Sequence, residues 1–120
     1  MDNIYNDRLF GTLIDLVGTN LRLRHTVYDL YELGANLDVV DGIDTAMLSD
    51  RDYFTHVFMA NKRVIEYLRD HEREIYRLFD FVVSEVDANN LHTPKMDWVQ
   101  AFLWNAHNIS TGLSNYKHSK

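Results

Sequence analysis

The chain has 120 residues, 46% of them hydrophobic, with six Phe, seven Tyr, two Trp, no Cys and a formal net charge of −6. That length suits one helical domain over 1–120, and the aromatic content gives the volume of a real core, which argues against disorder. The missing cysteine excludes disulfides, thiolate catalysis and cysteine-type zinc sites, and the acidic balance lacks the basic footprint of a general nucleic-acid binder.

Hydrophobic residues recur at helical spacing through most of the chain, which predicts an all-α fold. The first helix is expected over about 3–33, with Leu9, Phe10, Leu13, Ile14, Val17, Leu21, Tyr28 and Tyr31 on one stripe and Gly34 as its C-cap. Gly11 and Gly18 fall within it, seven residues apart, and mark either a bend or a close helix crossing. Ala35 to Ser49 reads as an ordered loop with a short helical turn, apolar residues alternating with aspartates.

The second helix is expected over about 50–88. Ser49 and Asp52 resemble a capping box, and Asp50 and Asp52 sit at the positive helix end. At 1.5 Å per residue such a helix runs roughly 55 Å. A break near Asp70–Glu74 or a covering partner would resolve that length; with no Gly or Pro there, the reading is a continuous helix. The third helix is expected over about 94–116, with Thr93 as N-cap and Pro94, the only proline, in the first turn. Three main helices bury limited surface alone, so the bundle is expected to be completed by self-association, a dimer first of all.

The start of the chain is polar and acidic rather than basic and apolar, and no run approaches the roughly 18 residues of a membrane span. These features predict a soluble, cytoplasmic protein with no membrane partner. Phosphate-binding glycine loops, a nucleophile elbow and a His-Glu-x-x-His helix are absent, and no Glu has a His three residues later as di-iron bundles require. No metal or other cofactor is expected.

Two patterns bear on binding. From Thr26 to Asp50 there is no Lys or Arg, and Asp38, Asp41 and Asp44 recur every third residue. An EF-hand loop is not met. The pattern reads as an acidic loop or as a docking element for a basic partner surface, by charge steering. The aromatics Tyr53 and Phe81 fall off the main stripe of the second helix, and Trp98 and Trp104 lie at the edges of the third. Rings in such places suit a partner interface. The ladder of Arg69, Arg73 and Arg77 beside Glu66, Asp70 and Glu74 reads as a solvated face laced with ion pairs.

Arg51-Asp52-Tyr53-Phe54-Thr55-His56 resembles the Arg-polar-x-x-x-His motif of the HEPN superfamily. The resemblance implies an all-α, dimeric, metal-independent ribonuclease, in which Arg51 stabilises phosphate charge and His56 transfers a proton. Three functional expectations follow. The first is a non-enzymatic protein-binding module of inhibitor, immunity or adaptor type, using Asp38, Asp41, Asp44, Tyr53, Phe81, Trp98 and Trp104 and not binding nucleic acid directly. The second is the HEPN-like ribonuclease. The third is an acidic decoy for a nucleic-acid-binding protein.

Overall fold

A computed structural model describes residues 4–37 and 49–118. They form six helices and no strand: α1 (Ile4–Val17), α2 (Leu21–Ala35), α3 (Asp50–Ala60), α4 (Lys62–Asp70), α5 (Glu72–Ala88) and α6 (Pro94–His118). The all-α class expected from the sequence is therefore present, but the three main helices are not. Two of them are divided.

The expected first helix divides at 18–20. Gly18 takes φ +58°, a conformation glycine adopts without a Cβ penalty, and Asn20 then caps a new helix through its side-chain oxygen to the Leu23 N–H. Restarting the helix resets its phase. Leu21 and Tyr28, placed on the apolar stripe by a continuous helix, are exposed, whereas α2 buries Leu23, Val27, Leu30 and Gly34. Gly34 is thus no cap. It is buried inside α2, against Asn6 of α1, and a Cβ there would lie 2.8 Å from Asn6 Cγ. The absent side chain lets α1 and α2 cross closely, and Asn6 Nδ2 donates to the Tyr31 carbonyl across that crossing, 3.2 Å.

The expected second helix divides twice. Asn61 ends α3 and caps α4, its Oδ1 accepting from the Arg63 N–H at 3.1 Å. His71 separates α4 from α5, and both its backbone N–H and its Nδ1 lie on the Tyr67 carbonyl, at 3.0 and 2.9 Å. Continuity is overturned here because two polar side chains satisfy helix ends as well as a glycine or proline would break them. The other boundaries agree with their caps. Asp52 N–H donates to Ser49 Oγ, and Met96 N–H to Thr93 Oγ1, each at 3.2 Å. Asn90 at φ 54° closes α5 in a Schellman turn, with Leu91 N–H on the Val86 carbonyl at 2.9 Å.

The core forms where α1, α3 and α6 meet. Phe10, Phe58 and Phe102 lie within 5.9 Å of one another, centroid to centroid, with Phe54 beside them. Val64 and Leu68 of α4 and Ile75, Leu78, Val82 and Val86 of α5 extend this cluster along α6. Ser110 of α6 is buried and donates its hydroxyl to the Leu68 carbonyl, one of the acceptors left over at the end of α4. No helix among the described residues is long and apolar enough to cross a membrane.

Candidate functional site

α5 and α6 pack side by side, and their seam carries an open aromatic surface. Tyr76 and Phe79 lie three residues apart on α5, and Trp104 and His107 three apart on α6, so each pair shares a helix face. The His107 ring stacks on Phe79 at 5.5 Å and 5°, and Tyr76 approaches it at 5.4 Å. Trp104 tilts against Phe79 at 5.5 Å and against His107 at 6.2 Å. Phe79 is partly buried and seats the group on the core. Tyr76 and Trp104 remain 50% and 51% exposed, two of the largest exposed apolar side chains among the described residues. Thr111 Oγ1 stands 3.5 Å from His107 Nδ1, one turn along α6.

Trp104 is the one sequence-predicted residue in this surface. Tyr76, Phe79 and His107 carry no interface signal in the sequence. Spacing finds the stripes of one helix. Which neighbour covers a stripe depends on how α5 and α6 pair, and that is tertiary information.

The other predicted residues fall elsewhere. Trp98 is engaged within the chain. Tyr5 meets it edge-on at 6.1 Å, the Arg51 guanidinium lies over its ring at 5.1 Å, and its Nε1–H donates to Thr55 Oγ1 at 3.4 Å. It rivets α1, α3 and α6 together. Tyr53 is half-buried on α3, and Phe81 is half-buried against the core. Asp38, Asp41 and Asp44 lie outside the described residues.

Arg51 and His56 are separated by five residues of α3, about 140° around the helix. Arg51 faces Trp98, while exposed His56 lines a 360 Å³ cleft with Asp52, Asn105 and Asn108, a cleft that Arg51 does not line. Within one chain the two residues of the HEPN-like motif do not converge.

Two of the further clefts combine charges of both signs. One, of 460 Å³, lies between α2 and α4 and is lined by Asp29, Glu32, Arg63, Tyr67 and His71. Tyr67 OH donates to Asp29 Oδ2 at 3.1 Å, and His71 stacks on the Tyr67 ring at 4.0 Å. Burial and then the Asp29 carboxylate push the Tyr67 phenol above its ordinary value. Because a carbonyl can only accept, the contact to Tyr67 O fixes the His71 proton on Nδ1. The second cleft, of 380 Å³, lies between α2 and α5, and Tyr76 forms part of its wall. No cluster of three His, Asp or Glu among the described residues could hold a metal ion.

The expected ion-pair ladder on α4 and α5 is sparse. Arg69 pairs with its neighbour Asp70 at 2.9 Å, while Arg73 and Arg77 make no ion pair among the described residues. Helical spacing brought the charges near one another, but His71 interrupts the helix between Arg69 and Arg73 and breaks the i,i+4 register. No protein-family model, curated protein or solved structure matches the chain.

Proposed function

We propose that this protein is a non-enzymatic helical module that binds another protein through the α5–α6 aromatic face. The observation that carries the reading is the half-exposure of Trp104 and Tyr76 over a stacked Phe79–His107 base. Rings held by neighbouring rings lose little conformational freedom on binding, and aromatic anchors of this kind dominate interface energies. A partner that covered the face would occlude or bridge through it. A second copy of the chain is the competing occupant, and self-association through this face would make the module a dimer.

The test is affinity capture from nuclease-treated lysate of the source cells, read by mass spectrometry. Wild type would run beside Tyr76→Ala/Trp104→Ala and beside Arg51→Ala/His56→Ala. One dominant protein, held by wild type and by the Arg51/His56 variant but lost with the aromatic pair, is the expected result. Capture indifferent to the aromatic pair, or none at all, would remove the reading. Sedimentation of the same three proteins separates a foreign partner from a second copy. RNA cleavage by wild type that the Arg51/His56 variant loses would instead place the chemistry at α3.

A further inference from the structure

We infer that the cleft between the start of α2 and the middle of α5 is a docking groove for an acidic peptide segment of a partner protein, with an apolar side chain between its carboxylates. The inference deepens the protein-binding reading and rests on it, because Tyr76 belongs both to the aromatic face and to this groove.

The groove has an apolar floor and a cationic rim. Leu23 is buried at its base and Phe81 is half-buried beside it. Arg22 reaches it from α2 and Arg77 from α5; both are exposed, and neither guanidinium has a hydrogen bond or ion pair among the described residues. Arg24, two residues from Arg22, shows the contrast: it donates to the Gly18 carbonyl at 2.7 Å and is committed to the fold. One carboxylate, Asp80, shares the groove with the two arginines, so the local balance is positive on a chain whose total is −6.

The chemistry selects the occupant. A planar guanidinium offers paired N–H donors that match a carboxylate, and two such forks from different helices fix two acidic positions rather than one. The floor of Leu23 and Phe81 takes an apolar side chain between them and keeps water from that part of the contact. Nucleic acid fits less well, because it needs many cations along a strand, whereas this groove has two and a carboxylate among them. The two arginines against one carboxylate make a partner at this groove acidic rather than basic.

A displayed library of random twelve-residue peptides, selected on the intact protein, tests this directly. Enriched peptides should carry at least two Asp or Glu around a large apolar residue. Their binding should weaken with salt and fall about tenfold or more in Arg22→Glu/Arg77→Glu. Arg22→Lys/Arg77→Lys keeps the charges without the forks and should lie between. Both positions are exposed and unpaired, so circular dichroism should show the helices intact. No enrichment, enrichment of non-acidic peptides, or acidic peptides indifferent to the reversal would overturn the assignment. So would a dodecathymidylate that binds wild type and not the reversed variant, or self-association that the reversal abolishes. Trp104→Ala, which lies outside the groove, reads the aromatic face separately in the capture experiment. Acidic peptides lost on charge reversal beside capture unaffected by the aromatic variant would keep the groove and discard the wider reading, and the converse pattern would do the opposite.

Discussion

Phe102 and Trp104 stand two residues apart on α6, about 200° around the helix, and each belongs to a cluster of four rings. The cluster around Phe102, with Phe10, Phe54 and Phe58, is closed, and Phe102 itself is 1% exposed. The cluster around Trp104 has comparable ring spacings and is half open. A tryptophan buries 150–250 Å², so leaving half of it in water forgoes on the order of 2–3 kcal/mol. The same residue types in similar packing thus stabilise the fold in one place and withhold that stabilisation in the other. Such withheld area is what a binding partner can recover.

The largest effect should come from the closed cluster. Phe102→Ala removes a ring that touches α1 and α3 at once, and should cost about 3–5 kcal/mol, read as the denaturant midpoint at unchanged slope. A loss under about 1 kcal/mol would mean that the two clusters do not differ as their exposures indicate. Gly34→Ala asks whether a ring-free contact is as intolerant as the phenylalanines. The new methyl meets Asn6, whose side chain is fully buried and held by the Tyr31 carbonyl, so destabilisation of about 1–3 kcal/mol is expected. An unchanged midpoint would show that α1 can move away from α2.

Tyr67 sits between the two extremes, half-buried and roofed by His71. Burial first, and then Asp29, raise its folded pKa above the ordinary 10.0, so the folded chain holds the phenolic proton more tightly than the unfolded chain does. The resulting stabilisation is whole below pH 10 and is lost as the pH climbs beyond it. Tyr67→Phe should lower stability by about 1 kcal/mol at neutral pH, through the lost bond to Asp29, and should flatten the decline above pH 10. Parallel wild-type and variant profiles would show that the phenol is free of this coupling. The open cluster should contribute less to stability than the closed one. Trp104→Ala should cost about 2 kcal/mol, the share of the ring that is buried, while removing partner capture. A shift as large as that of Phe102→Ala would make the aromatic face a second core.

Sequence reading reached as far as side-chain caps and single stripes allow. Ser49 and Thr93 were legible because hydroxyls before a helical run have one strong local use, and both make it. The buried sides of α5 and α6, Ile75, Leu78, Val82 and Val86 on one and Val99, Phe102, Leu103 and Ala106 on the other, stand at helical spacing in the sequence. The joint at 18–20 is half legible, since Gly18 marks either a bend or a close crossing, whereas Asn61 and His71 lie within an unbroken hydrophobic period with no glycine or proline beside them. Missing the joint at Asn20 misplaced Leu21 and Tyr28. Trp104 was legible as a ring off its stripe, but Tyr76 and His107 acquire their meaning only from each other, across two helices.

The joints at Asn61 and His71 have a consequence for how this chain tolerates change in length. In one continuous helix from 50 to 88, a single inserted residue near the start would swing every later side chain by about 100°, carrying Tyr76 and Phe79 away from Trp104 and His107. Each joint resets the helical phase, so an insertion or deletion in α3 is absorbed before α5 begins. The bearing of the aromatic face is set where α5 restarts after His71 and is insulated from the lengths of the two short helices that precede it.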